Sequence, residues 1–425
     1  MITLTIVGTL LGLVLLGVPI GIALGGVGLV MFWQADLPLQ ALPQIIYNSA
    51  NSYALSAIPL FMLMGAIVER SGMGRHLIDF SSALVGWMRG GLAHVNTVVS
   101  FLFAGMNGSA AADVASMGPI LIPEMRKRGY PLNFAAAITS STSDAAILIP
   151  PSIVLIVYGV LANVSVTRMF LAGVIPGILL MACYLLLTHY FAIKNNWPVH
   201  EKFEVKRLPG VTRRAGPALL IPLIIMGGIL GGVFTATEAA AIAVVTAVLL
   251  AVFFYRSVSW KDGWDILVTT CKRTGMVMLI IAASGILSWF LSNRQIPQQL
   301  AESMLQLTDN YYAIILIIIA FLIALGTMIN GVPAMIILVP VLLPIMTEAG
   351  MDPIQFGIIF ALATTVGSQT PPVAATMLLT CSIAGISIGE MWKVNRWFIL
   401  VNVIVLIIAG LVPTLSLWLP SLILD

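Results

Sequence analysis

Twelve apolar stretches, near residues 1 to 15, 17 to 33, 51 to 69, 92 to 124, 132 to 161, 169 to 193, 215 to 233, 236 to 255, 274 to 292, 311 to 346, 354 to 385 and 397 to 419, take up most of this 425-residue chain. About 20 apolar helical residues cross a hydrocarbon layer about 30 Å thick, so the pattern leaves room for roughly ten to a dozen spans. In oil the backbone must satisfy its own hydrogen bonds, which restricts such a chain to an all-α polytopic membrane protein. Only 9% of the residues are charged, against about 25% in soluble domains.

The opening residues, MITLTIVGTLLGLVLLGVPIG, carry no positive charge before the apolar run and no small-residue cleavage site. They are expected to form the first helix and not a removable signal. No lysine is followed by Ser or Thr, so the phosphate-cradling GxxxxGK[ST] is absent. Cys183, Cys271 and Cys381 stand apart in apolar surroundings and read as packing residues. The four histidines have no spacing that suggests a metal. Neither an enzymatic activity nor a nucleic-acid partner is expected.

The longest polar interruption, residues 194–214, carries six basic and two acidic residues and belongs in the cytoplasm by the positive-inside rule. Alternating the spans around it puts 18 of the 20 basic residues on that side, leaving Arg168 and Arg294 outside. The count works only if residues 92–124 and 311–346 are re-entrant hairpins entering from opposite faces, each arm of 92–124 being about 14 residues or roughly 21 Å long. Both termini then lie outside.

A repeat agrees with this. Pro119, Pro123, Met125, Gly129, Pro150 and Pro151 recur as Pro340, Pro344, Met346, Gly350, Pro371 and Pro372, all at an offset of 221. The expected architecture is therefore an inverted repeat, residues 1–193 and 215–425, joined by the basic linker 194–214. Secondary transporters are commonly built this way. In each half a hairpin precedes a broken span, at about 132–161 and 354–385, where the pairs Pro150-Pro151 and Pro371-Pro372 interrupt the helix. The carbonyls freed at such a break suit a hard cation such as Na⁺.

The polar residues gather at the hairpin tips. Asn107-Gly108 is a turn signal, and Ser109 can cap the returning helix. Ser109, Asp113 and Ser116 follow i, i+4, i+7 and share one helical face. Asn330-Gly331 is the second turn, with Pro333 expected at the first helical position, and Ser109 pairs with Asn330 at the 221 offset. Each tip is expected to face its own broken span, with the positive helix ends aimed at the space between, favouring an anion there. Asp113, Ser116, Ser368 and Gln369 are assigned to that substrate cavity. Asp113 and Asp144 could also suggest an intramembrane aspartyl protease, but neither sits in a Gly-x-Gly-Asp context.

The tip GMNGSAAADVASMGP with its following PEMRKRGY, the breaks DAAILIPPS and SQTPPVAATMLLT, and the turn GGVFTATEAAA together resemble the large membrane subunit of the tripartite ATP-independent periplasmic (TRAP) transporters, over nearly the whole chain. The resemblance implies a bacterial inner-membrane elevator-type transporter driven by Na⁺, with no other cofactor. It implies one sodium site drawing on Asn107, Ser109, Ser143, Asp144 and Pro150, and a second drawing on Thr327, Asn330, Gly331, Thr364, Gly367 and Thr370. It implies partners as well: a small four-helix membrane subunit, here expected as a separate chain, and a periplasmic binding protein that delivers a small carboxylate such as sialic acid or a C4-dicarboxylate. A related symporter working without a binding protein is the alternative.

Overall fold

Polar caps set the helix boundaries that hydropathy alone blurs. The computed structural model describes residues 8–10, 12–13, 16–197, 199, 204–296, 298–299, 310–327, 329, 331–371 and 374–424. Asn330 and Pro372, assigned to a sodium site and a helix break, lie outside the described residues. Three capping boxes, Thr235 with Glu238, Ser259 with Asp262 and Ser387 with Glu390, each tie a side chain to the backbone of the other and start a long helix.

The first half contains α1 (Ile20–Gln34), α2 (Leu42–Ala50), α3 (Ala57–Arg70), α4 (Met73–Val85), α5 (Gly91–Asn107), α6 (Ala110–Lys127), α7 (Leu132–Thr142), α8 (Ala145–Leu148), α9 (Ile153–Leu161) and α10 (Val166–Lys194). The second contains α11 (Leu208–Leu230), α12 (Ala236–Leu249), α13 (Trp260–Asn293), α14 (Tyr311–Gly326), α15 (Gly331–Glu348), α16 (Pro353–Gln369), α17 (Ala375–Ala384), α18 (Ile388–Leu411) and α19 (Thr414–Leu424). Among the described residues eight helical segments are long and apolar enough to span a membrane, and four shorter apolar helices accompany them. Leu186, Leu223 and Phe253 are more than 60% exposed, an apolar belt that only lipid or another membrane helix can cover. Trp33, Trp289 and Trp418 are also exposed, as interfacial anchors would be.

The 221 offset reappears in the elements. Shifted by 221, α6 runs from 331 to 348 and coincides with α15, while α7 starts at 353, where α16 starts. The packing is reciprocal too. The second part of each broken span, α9 or α17, lies against the returning hairpin arm of the other half, α15 or α6. Likewise α7 packs on α18 and α16 on α10, as exchange about a pseudo-twofold axis requires.

Several expectations need correction. The arms of the first hairpin are 17 and 18 residues long and not about 14, and those of the second are 16 and 18, so each measures roughly 24–27 Å at 1.5 Å per residue. The extra length of α6 is a polar last turn in which Arg126 and Lys127 favour the negative helix end. Pro333 stands third in α15, still within the turn that owes no backbone donor. The basic linker ends earlier than expected, because α11 is already helical from Leu208. Cys271 is exposed and not enclosed by the chain's own core. Helix α4 was hidden by Arg75, His76 and Asp79, yet its Met73 and Leu77 are buried, and it packs on α5 and α11.

At the first hairpin tip Gly108 adopts φ +60, and a Cβ there would lie 2.3 Å from the Pro151 carbonyl oxygen. Gly129 adopts φ +85 with open space around it. Replacing Gly129 with Ala should therefore cost only the backbone term of about 1 kcal/mol, whereas Gly108→Ala must also push the tip off the break and should cost clearly more. Thermal unfolding of the two variants in mild detergent checks the order; equal losses would mean that tip and break are not in contact.

Candidate transport site

Each hairpin tip meets the break in its own half. In the first, the Asn107 carboxamide oxygen accepts from the Ser109 N–H at 3.2 Å, and the Ser109 hydroxyl caps α6 by accepting from the Ala112 N–H at 3.4 Å. Gly108 rests on the Pro151 carbonyl, and Gly105 approaches the carbonyl of Pro150. The break itself extends from Ser143 to Ser152 and is wider than the Pro-Pro pair alone would make it. Within it Ser143 donates to the Ser140 carbonyl at 2.6 Å, and Ser152 donates to the Ile147 carbonyl at 2.6 Å while capping α9.

The second junction is tighter. A Cβ on Gly367 would come within 2.4 Å of the Gly326 carbonyl group, and one on Gly331 within 3.3 Å of the Thr364 Cβ. Backbone thus touches backbone, which only glycine allows. Thr327, Thr364 and Thr370 donate their hydroxyl hydrogens to the carbonyls of Ala324, Ala361 and Val366 at 2.7–2.8 Å. With the proton committed to the helix, each oxygen keeps its lone pairs for an external acceptor role. Pro371 stands in the turn that follows Thr370.

Between the junctions the two broken spans are bound to each other. Asp144, fully buried, accepts from Ser368 Oγ, Gln369 Nε2 and Asn402 Nδ2, each at 3.3 Å. Gln369 also accepts from Ser140 Oγ at 2.9 Å and Asn395 Nδ2 at 3.2 Å, and donates to the Ser140 carbonyl at 2.7 Å and Thr376 Oγ1 at 3.1 Å. Ser141 donates to Asn395 at 3.0 Å, and the Tyr184 hydroxyl donates to the Asn402 carboxamide oxygen. The structure therefore places Asp144 with Ser368 and Gln369 in one network, where the sequence reading had divided them between a sodium site and a substrate cavity. Asn395, Asn402 and Tyr184 were missed. The i, i+7 spacing of the two asparagines in an otherwise apolar helix was the available signal, since it puts both on one face.

The first hairpin holds several unpaired groups. Asn107 Nδ2, Asp113 Oδ1 and Ser116 Oγ are buried without a hydrogen-bond partner, although Asp113 lies beside Ser100. Buried polar atoms left unpaired in this way mark a place where a ligand or water completes the bonding. Asp113 and Asp144 share no hydrogen bond, and Asp144 accepts instead from amide and hydroxyl donors. No group of three or more His, Cys, Asp or Glu residues suited to a metal occurs among the described residues. Asp113, Ser116, Ser368 and Gln369 do not line one cavity. Ser116 borders cavities of about 450 and 490 Å³ beside α6. A cavity of about 710 Å³ lies elsewhere, among Ser, Thr and Asn side chains near Asn51, Asn163 and Thr235.

Two reciprocal hairpin-and-break units, joined through a polar core in a membrane-spanning bundle, define a polytopic transporter. The comparisons agree. A YdaH transporter from Alcanivorax borkumensis, whose crystal structure is described as having an unusual topology, shares the fold at a TM-score of 0.65 and 14% identity, over 89% of this chain and 88% of that one. The family described as "Tripartite ATP-independent periplasmic transporter, DctM component" matches residues 7–415. A C4-dicarboxylate TRAP transporter large permease protein, DctM, from Vibrio cholerae is 35% identical over 97% of this chain and 96% of its own length. A 2,3-diketo-L-gulonate TRAP transporter large permease protein, YiaN, from Escherichia coli is 32% identical over 98% of both chains. The chain belongs to the tripartite ATP-independent periplasmic transporter family, as its large permease component, and is a transport subunit and not an enzyme.

Gln369→Leu would strip Asp144 of one donor, leave the Ser140 hydroxyl without its acceptor and take one of two Gln369 acceptors from Asn395, whose bond to the backbone carbonyl remains. Losing one partner in such a buried network should cost about 3 kcal/mol. The unfolding midpoint in detergent reads this, and an unchanged midpoint would show that the network does not hold the spans together.

Proposed function

We propose that the chain is the Na⁺-coupled, substrate-carrying subunit of a three-part importer of small organic acids in a bacterial inner membrane, with both termini on the periplasmic side. The supporting observation is the contact of each tip with its own break, where threonine hydroxyls, serines and backbone carbonyls converge without a basic side chain. One sodium would draw on Asn107, Ser109, Ser143, Asp144 and Pro150. The other would draw on Thr327, Gly331, Thr364, Gly367 and Thr370, together with Asn330. Oxygen-only surroundings of this kind suit a hard monovalent cation at a helix break.

Filling both sites draws the tips onto the breaks and neutralises the polar core, so the unit can move past the remaining helices as one body, an elevator. The two halves, residues 1–193 and 215–425, have opposite orientations in this reading, as the charge distribution supports. A separate small membrane subunit and a soluble periplasmic protein complete the system, the latter delivering the acid. The named relatives carry a C4-dicarboxylate or a diketo sugar acid. Two Na⁺ entering down a tenfold gradient and 100 mV release about 2 × (1.4 + 2.3), or about 7 kcal/mol, enough to concentrate a monoanion more than a thousandfold.

In proteoliposomes holding the partner subunits, uptake should collapse when external Na⁺ is replaced by K⁺. Thr364→Val should raise the Na⁺ concentration for half-maximal uptake by about tenfold, a loss of roughly 1.4 kcal/mol of cation binding, with the maximal rate largely kept. Uptake that is indifferent to Na⁺ defeats the coupling. Uptake by this chain alone would favour a symporter that works without a delivery protein.

A further inference from the structure

The cavity of about 450 Å³ beside Ser116 is bordered by three elements: α3 gives Glu69 and Arg70, α13 gives Asp262, Asp265 and Arg273, and the returning arm α6 gives Ser116. Its charges are not equivalent. Arg70 is committed, since its Nε and Nη2 both donate to Asp262 Oδ1, at 3.0 and 2.7 Å. The other oxygen of Asp262 is taken by the N–H and hydroxyl of Ser259. Asp265 stands near that pair and feels Arg70.

Glu69 and Arg273 remain. They lie close enough to interact electrostatically, yet neither makes a hydrogen bond or contact ion pair among the described residues. Across the cavity the Ser116 hydroxyl is buried without a partner. The wall thus offers one uncommitted guanidinium and one uncommitted carboxylate on helices outside the hairpin, and the hairpin borders it through Ser116.

We infer that this cavity is the acid-binding subsite and that it selects monocarboxylates bearing several hydroxyl groups over dicarboxylates. The inference rests on the reading of the chain as an organic-acid carrier and narrows its substrate class. A guanidinium takes one carboxylate through two parallel N–H bonds, and Arg273 is placed for that role. Glu69 then accepts from ligand hydroxyls. A second ligand carboxylate would meet Glu69 and Asp265, and a wall with three acids and two arginines cannot compensate for it. Repulsion of the wrong ligand is as much a part of selectivity as attraction of the right one. Ser116 supplies the third point, so a seated ligand bridges the hairpin arm to α3 and α13.

The test uses the full chain in nanodiscs with Na⁺ present, titrated with gluconate and with succinate as probes and read by ligand-dependent thermal stabilisation. Gluconate should bind at least about tenfold more tightly than succinate. Arg273→Gln should abolish the gluconate response. Glu69→Gln should bring the two probes to within about threefold, by weakening gluconate and admitting succinate. Ser116→Ala, a small deletion on the cavity wall, should weaken gluconate by about three- to tenfold and guards against misfolding of the charge variants. Equal or tighter binding of succinate, a failure of both probes to bind, or unchanged gluconate binding in Arg273→Gln would overturn the inference. Succinate preference alongside intact Na⁺-driven uptake would defeat this selectivity alone. Sodium-independent uptake by the assembled transporter would defeat the coupling and leave the selectivity standing.

Discussion

A helix interrupted at membrane depth must find partners for the backbone groups it frees, and the rest of this structure is arranged around that demand. The first break, from Ser143 to Ser152, answers it with local side chains: Ser143 and Ser152 bond to carbonyls on its margins. Hairpin tips close what remains, with Gly108 seated on the Pro151 carbonyl and Gly326 against Gly367. Glycine at these points is a packing requirement, because any side chain would separate the tip from the carbonyls it covers.

The same demand explains the polar core. Gln369 ends α16, so its side chain is placed where the chain turns away and can reach across to Ser140 and Asp144 of the other half. One amide side chain therefore binds both breaks, while on α18 Asn395 donates to that amide and Asn402 donates to Asp144. A carboxylate surrounded only by neutral donors is poorly compensated in a low-dielectric interior. A cation bound nearby, as proposed above, would relieve that imbalance and would couple its own binding to the stability of the whole unit.

Legibility in the sequence followed physical range. Interactions within about one helical turn left clear marks: the Ser109 cap and the Asn107-Gly108 turn stand where local pattern put them. The repeat was legible because proline and glycine report backbone geometry directly, and α6 and α15 share bounds at the 221 offset of those residues. Helix α4 escaped because its apolar face is narrow and three charged or titratable residues interrupt it. The Asp144 and Gln369 network escaped for a different reason, since its partners are more than 200 residues apart and nothing local records them.

Orientation of charge was the other long-range property, and its consequence reaches beyond topology. Neither tip carries a basic residue, so a carboxylate cannot be held there by ion pairing, and the guanidiniums near the hairpin come instead from α3 and α13. In the elevator proposed above, the moving part would need no cation of its own. It would present polar helix ends, while the charge inferred to recognise the acid would stay on neighbouring helices. Motion of the hairpin away from Arg273 would break the contact with the acid, so release would be driven by the same displacement that carries the ions.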